Sequence, residues 1–224
     1  MSPETRQKIE KAMEEGRGIY VNIKKSILFL LSSNFGEIIT MFAAVLFQLP
    51  TPLKASHILW VNLITDSLPA LALGIDKNDA KALMRKKPRN PHEGLFAHGG
   101  WSFTVFYGVL IAVITLYAFY LGGQTYAFTV LGVSQLFHAI GMRDRDKSVF
   151  RMKHLENPFM LGAFFLGLGL QLMVTEIPYF VQLFGTARLS LQEWCLLLGI
   201  SAIPLVAHEL LLIPNRVLGM RKKQ

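Results

Sequence analysis

The sequence predicts an all-α, polytopic membrane protein: a bundle of six transmembrane helices with both termini in the cytoplasm. The chain has 224 residues, 52% of them hydrophobic, and its mean hydropathy is +0.38. Several windows hold roughly 20 mostly apolar residues, the length that crosses a ~30 Å hydrocarbon core. The Lys and Arg residues gather at the ends of these windows, which is typical of membrane proteins and argues against a nucleic-acid partner.

Six spans are predicted, separated by connections of unequal length. They cover about residues 25–47, 57–75, 101–121, 124–142, 157–184 and 190–213. The first span continues a polar helix that begins near Ser2-Pro3, and Pro50 and Pro52 follow its end. Gly122-Gly123 and Gly185 predict tight loops between spans, because these dipeptides and single glycines commonly mark turns.

The predicted orientation follows from the basic residues. Clusters of Lys and Arg occur after the second span, after the fourth span and at the C-terminus: Lys77, Lys81, Arg85, Lys86, Lys87 and Arg89; Arg143, Arg145, Lys147, Arg151 and Lys153; Arg216, Arg221, Lys222 and Lys223. The opposite loops carry only Lys54 and Arg188. The positive-inside rule therefore predicts that both termini and the two basic loops face the cytoplasm.

Two groups of polar side chains within apolar spans predict a site for a hard cation. Asn62, Thr65 and Asp66 have i, i+3, i+4 spacing in the second span, and Asn34 and Glu37 have i, i+3 spacing in the first, so each group shares one helix face. An ionisable residue at membrane depth is costly and is a functional candidate by default. Calcium takes 6–8 oxygen ligands, and carboxylates, amides and hydroxyls supply them.

The alternative interpretation is that these polar groups only hydrogen-bond one helix to another. That is the usual role of an isolated Asn or Thr, but two carboxylates with three neutral oxygen donors on consecutive spans favour a site. Pro69 lies just beyond the group and can free backbone carbonyls. Gly36 would allow a neighbouring helix to approach closely. His138, in contrast, is expected to hydrogen-bond between helices.

Four segments resemble the C-terminal transmembrane region of type II P-type calcium-transporting ATPases. They match the junction between phosphorylation domain and fifth helix, the fifth-helix ion motif, the sixth-helix motif with its Asn-Leu-x-Thr-Asp core, and the loop that follows: residues 14–25, 33–37, 60–74 and 85–91. The resemblance runs from about Gln7 to Arg216. It implies three parts: residues 1–24 end the phosphorylation domain and form a stalk, residues 25–215 form the membrane domain, and residues 216–224 are a basic cytoplasmic tail.

The resemblance also implies which residues bind the transported Ca²⁺. One ion site would use Asn34, Glu37, Thr65 and Asp66, and a second would use Asn62 and Asp66 together with fourth-helix groups that this sequence lacks. The pattern Asn62-x-x-Thr65-Asp66 resembles calcium pumps rather than sodium/potassium pumps. The acid that the family places in its eighth helix is replaced by Gln135, at most a weak ligand. One Ca²⁺ per cycle is therefore expected.

The resemblance further implies partners that complete the pump. No Asp-Lys-Thr-Gly-Thr motif occurs in the sequence, so the chain is expected to be inactive as an ATPase on its own, as a fragment or one piece of a split pump. ATP and Mg²⁺ would act only through a missing cytoplasmic headpiece. Membrane lipid and missing N-terminal transmembrane helices are the other expected partners, and a bacterial plasma membrane is the expected location.

Two further hypotheses remain open from the sequence. The absent phosphorylation motif is compatible with a non-catalytic membrane scaffold or regulator derived from a pump. The oxygen-rich site is also compatible with the same module transporting Mn²⁺ or another cation, because Mn²⁺ accepts oxygen ligands as well.

Overall fold

The structure, a computed structural model, describes residues 2–78, 80–85, 94–97 and 99–221, with the backbone alone at 80–82 and 214–221. Within these ranges the fold is all-helical, with no strand, as predicted. The helices are α1 (Pro3–Leu46), α2 (Ala55–Trp60), α3 (Ser67–Gly74), α4 (Ala80–Arg85), α5 (Gly100–Met142), α6 (Pro158–Glu176), α7 (Pro178–Phe184), α8 (Leu191–Ser201) and α9 (Ile203–Arg221).

Each of the six predicted spans is helical in the structure. By length and composition, four helical stretches of the described chain could cross a membrane: Pro3–Leu46, Gly100–Met142, Pro158–Glu176 and Leu191–Ile213. Of the predicted loop motif 85–91, all but Arg85 lies outside the described residues, and so do the side chains of the basic tail.

Helix α1 joins the predicted stalk to the first span without a break. It begins where the Ser2 hydroxyl accepts a hydrogen bond from the Thr5 backbone N–H at 3.2 Å, with Pro3 in the first turn. Most side chains before Asn22 are exposed, whereas the face that carries Phe29, Ser33 and Glu37 is buried. The predicted domain boundary between residues 24 and 25 therefore falls inside one helix.

Helix α5 is a hairpin of two helical arms. Gly122 (φ −152°, ψ 19°) and Gly123 (φ 73°, ψ −155°) depart from helical geometry, and the positive φ of Gly123 is one that glycine adopts readily. The Tyr107 ring stacks on the His138 ring with centroids 4.3 Å apart, so the arms 100–121 and 124–142 run antiparallel. The Gly-Gly turn predicted between the third and fourth spans is confirmed.

The second predicted span contains a π-helical segment, Val61–Asp66, between α2 and α3. The Ser67 hydroxyl donates to the Asn62 carbonyl at 2.9 Å. Pro69 has no N–H for the carbonyl of Thr65, which an α-helix would pair with it. The sequence analysis did not predict this segment. Short π-helical segments within α-helices often occur at functional sites.

The last two predicted spans are each divided. Ile177 is extended (ψ 122°) and the chain resumes at Pro178, so the predicted span 157–184 becomes α6 and α7. A proline disfavours helical geometry in the residue before it, which accounts for this break. Pro204 likewise removes a helical hydrogen bond where α8 gives way to α9 at Ala202.

Three helix ends are held to the middle of α1 by the Asp76 cluster, which comprises Asp76, Lys25, Arg143 and Asn157. The buried Asp76 carboxylate accepts from Arg143 Nη2 at 3.0 Å and from Asn157 Nδ2 at 2.8 Å, and Lys25 Nζ lies 3.7 Å away. Asn22 adds a hydrogen bond to the Asp76 backbone carbonyl at 2.7 Å. The cluster thereby joins α1 to the ends of α3 and α5 and the start of α6.

Helices α1 and α5 pack through glycine, as predicted for Gly36. A Cβ atom at Gly36 would lie 2.9 Å from Ile111 Cγ2 and 3.2 Å from the Gly108 carbonyl oxygen. Gly108 in turn lies against the Phe35 ring, where an added Cβ would be 2.7 Å from Cδ1. Small residues at such crossings let helix backbones approach closely in membranes.

We expect Gly36→Ala to lower the free energy of unfolding by about 1–3 kcal/mol, the usual cost of overpacking a close contact. The added methyl group would meet the β-branched side chain of Ile111 and the backbone carbonyl of Gly108, and neither can move aside as the end of a flexible side chain can. Thermal unfolding in detergent would measure the loss. Gly169→Ala on α6 is the matched control, because nothing lies within 4 Å of a Cβ there; equal stability of the two variants would contradict the expectation.

Candidate cation site

Glu37 on α1 is the centre of the predicted group. Asn62 Nδ2, from the π-helical segment, donates to Glu37 Oε2 at 3.1 Å, and Gln135 Nε2, from the second arm of α5, donates to Oε1 at 3.2 Å. Both carboxylate oxygens are therefore bound by amides from other helices. Only 5% of Glu37 is exposed.

Thr65 joins this group through the same amide. Its hydroxyl donates to Gln135 Oε1 at 3.0 Å and also lies 2.9 Å from the Val61 carbonyl. Thr65 and Gln135 are both fully buried. The Gln135 carboxamide thus connects Glu37 to Thr65. Gln135, predicted to be at most a weak ligand, therefore lies at the centre of the group.

Asp66 is buried with only 1% exposure, and neither of its carboxylate oxygens has a hydrogen-bond partner among the described residues. Glu37 lies close enough for its carboxylate charge to repel that of Asp66. Ser33 also lies next to the Asp66 carboxyl, although its hydroxyl is not placed to hydrogen-bond there. A buried carboxylate without partners is costly unless a cation or a proton neutralises it.

Asn34 is the predicted site residue that the hydrogen-bonded group does not include. It is half-buried, and its Nδ2 donates to the Leu30 carbonyl of its own helix at 2.7 Å. Its position one turn before Glu37 keeps it on the same face of α1. Asn62 makes a similar bond to the Ile58 carbonyl at 2.9 Å in addition to its bond with Glu37.

The chemistry of the group suits a hard cation. Two carboxylates, three amides and one hydroxyl offer oxygen ligands. Only two of these six residues are acidic, and the described part of the chain holds no group of three or more His, Cys, Asp or Glu residues placed to hold a metal ion. To bind a cation, Asn62 and Gln135 would turn their amide oxygens, rather than their N–H groups, towards Glu37.

His138 lies outside this group and bridges two helices, as predicted. Its Nε2 lies 2.8 Å from the Ser32 hydroxyl on α1, and its ring is buried between aromatic neighbours that include Tyr107. Two other buried residues were not named as site candidates from the sequence: Ser33, which lies within the predicted motif 33–37 and beside Asp66, and Gln171 on α6. The signal for Ser33 was its position four residues before Glu37, on the same face of α1.

A helix bundle with four described stretches long and apolar enough to cross a membrane belongs to the class of integral membrane proteins. Comparison with protein families identifies the family to which this membrane protein belongs. Residues 50–213 match the model described as "Cation transporting ATPase, C-terminus", and the chain belongs to this family. The resemblance inferred from the four sequence segments is thereby confirmed.

Individual relatives agree with this assignment. The chain is 43% identical over 233 residues to calcium-transporting ATPase 1 of Bacillus cereus, and 42% identical over 216 residues to a calcium-transporting ATPase of Bacillus subtilis. It is 31% identical to calcium-transporting ATPase type 2C member 1 of the mouse. These matches cover 91–93% of this chain but only 23–26% of the relatives, so the chain spans about a quarter of their length.

Proposed function

We propose that this chain is the ion-translocating transmembrane half of an ATP-driven calcium pump and supplies the oxygens that bind the cation. The observation that carries the proposal is the Asp66 carboxylate, which is buried next to Glu37 without a hydrogen-bond partner among the described residues. The names of the relatives, calcium-transporting ATPases, support calcium as the cargo.

The proposed topology has six membrane passages with both termini in the cytoplasm. The two arms of α5 supply two of them, and the helical stretch 55–74 supplies another. Residues 1–24 would form the end of the phosphorylation domain and the stalk, 25–215 the membrane domain, and 216–224 the basic tail. The predicted cytoplasmic loops and termini together carry most of the basic residues, in keeping with the positive-inside rule.

The charge of the site supports one Ca²⁺ per cycle. Glu37 and Asp66 together carry two negative charges, which one Ca²⁺ neutralises, and Asn34, Asn62, Thr65 and Gln135 would add neutral oxygens. A second Ca²⁺ at the same group would remain uncompensated in a buried setting, where an unpaired charge is strongly disfavoured. In the proposed cycle, the two carboxylates exchange calcium for protons as their surroundings change.

The rest of the pump would supply the energy. ATP and Mg²⁺ would act through a cytoplasmic headpiece. N-terminal transmembrane helices would supply the rest of the ion path. The chain itself would contact membrane lipid. A bacterial plasma membrane is the proposed location, since two of the relatives come from Bacillus species.

The proposal predicts ATP-driven calcium uptake. The native protein, isolated from source membranes through a tag in this chain and reconstituted in vesicles, should accumulate ⁴⁵Ca²⁺ when ATP and Mg²⁺ are added. The ratio of Ca²⁺ transported to ATP hydrolysed should be near one. Vesicles that hydrolyse no ATP and take up no ⁴⁵Ca²⁺ would contradict the proposal.

A competition measurement in the same vesicles addresses the choice of cation. Excess unlabelled Ca²⁺ should block ⁴⁵Ca²⁺ uptake more strongly than an equal excess of Mn²⁺. The reverse order would reassign the cargo to Mn²⁺ while leaving the pump itself in place.

A further inference from the structure

Gln171, in the C-terminal half of α6, carries a carboxamide that is fully buried and has no hydrogen-bond partner among the described residues. Both Nε2 and Oε1 are unpaired, and the side chain is 0% exposed. Its backbone carbonyl accepts from the Thr175 hydroxyl at 3.1 Å, but that bond does not involve the amide. Since most buried polar side-chain atoms are hydrogen-bonded, this amide calls for an explanation.

The amide oxygen lies near the candidate cation site, on the side of the Thr65 methyl group. A Cβ atom at Gly132 would lie 3.2 Å from Gln171 Oε1 and 3.5 Å from Thr65 Cγ2. The amide oxygen and Thr65 therefore border the same small space, which exists because residue 132 has no side chain. Gly132 lies three residues before Gln135, so this space adjoins the Glu37–Gln135–Thr65 group one helical turn along α5.

A second unpaired oxygen lies on the same stretch of α5. The Thr129 hydroxyl is fully buried without a partner among the described residues, and Thr129 shares a helix face with Gly132 through i, i+3 spacing. Polar atoms that lack protein partners thus continue beyond the predicted site residues, towards the Gly122–Gly123 end of the hairpin.

We propose that the Gln171 carboxamide is a further oxygen donor in the cation path and binds Ca²⁺, directly or through one water molecule, beside Thr65 and Gly132. This extends the site from α1, the π-helical segment and α5 onto α6. The proposal rests on the proposed function, because it takes Ca²⁺ to be the ion that passes Glu37 and Asp66. An amide oxygen is a suitable ligand, since Ca²⁺ accepts neutral carbonyl oxygens alongside carboxylates.

The test compares Gln171→Met with the native pump in calcium binding and in stability. Met keeps the length of the side chain but removes both polar atoms. We expect the apparent affinity for ⁴⁵Ca²⁺ to fall about 10-fold, the lower end of the effect of groups that support metal ligands. The thermal midpoint should not fall, because the substitution breaks no hydrogen bond within the described protein.

Two other variants sharpen the comparison. Gln182→Met, at an exposed position on α7, is the matched control and should bind Ca²⁺ as the native pump does. Gly132→Ala places a methyl group 3.2 Å from Gln171 Oε1 and should weaken binding in the same direction without removing the amide. If Gln171→Met fails to fold, Gly132→Ala decides the question alone.

The outcomes separate this inference from the proposed function. Weaker binding at an unchanged thermal midpoint supports the inference. Native affinity in Gln171→Met and Gly132→Ala, together with lost binding in Asp66→Asn, overturns the inference but leaves the proposed function standing. A native pump that does not bind Ca²⁺, or binds it equally well after Asp66→Asn, overturns both.

Discussion

Replacing Asp66 with Asn should abolish ATP-driven calcium uptake by the proposed pump, with a loss of at least about 100-fold. The substitution keeps the shape of the side chain and removes one of the two negative charges that would neutralise the ion. A divalent cation left with a single buried counter-charge is strongly disfavoured. Initial rates of ⁴⁵Ca²⁺ uptake in vesicles, normalised to the amount of pump, would measure the loss.

The same substitution should leave stability unchanged or raise it. Neither oxygen of the Asp66 carboxylate is hydrogen-bonded within the described structure, so an amide in its place ends the burial of an unpaired charge. Thermal unfolding in detergent therefore separates a lost ligand from a misfolded protein. Asp146→Asn, in the exposed loop after α5, is the control. Uptake at the native rate in Asp66→Asn would refute the assignment of this residue.

Replacing Asp76 with Ala should lower the free energy of unfolding by about 3–5 kcal/mol, the typical cost of removing one partner from a buried ion pair. The Arg143 guanidinium, only 7% exposed, would lose its counter-charge, and Asn157 would lose an acceptor. Three helix ends and the middle of α1 would lose their common attachment. The shift in the thermal midpoint, measured in detergent without Ca²⁺, would report the loss.

The control for Asp76→Ala is Glu156→Gln, which removes a carboxylate from the same end of the bundle. Glu156 pairs with Lys153 at 2.9 Å, but both side chains are largely exposed, so little stability depends on that pair. A similar, small effect of the two substitutions would mean that the Asp76 cluster does not stabilise the bundle.

The sequence predicted most of the helices because their signals are strong and local. Each of these signals depends only on neighbouring residues. Examples are the helix start at Ser2-Pro3, the apolar run up to residue 47 and the Gly122-Gly123 turn. The π-helical segment could not be predicted in this way, since six residues do not distinguish a π period from an α period. The break at Ile177 was also missed, although Pro178 was visible, because prolines are often accommodated within membrane helices.

The residues of the candidate site could be predicted from the sequence, but the hydrogen bonds between them could not. Spacing placed Asn62, Thr65 and Asp66 on one face, yet the bridging position of the Gln135 amide depends on how α5 packs against α1. The Asp76 cluster was missed for a related reason. Lys25 and Arg143 have the sequence context of solvated residues at helix ends, and their partner is far away along the chain.

Helix α1 has a mechanical consequence. Its 44 residues form one uninterrupted rod, about 66 Å long at 1.5 Å per residue, whereas a hydrocarbon core is ~30 Å thick. Glu37 lies about 50 Å along this rod from Pro3. No break in α1 separates them, so a movement of the exposed end can pass along the helix to Glu37, and the Asp76 cluster contacts α1 at Lys25 between the two. In the proposed pump, this unbroken helix would connect the cytoplasmic headpiece to the Glu37 carboxylate.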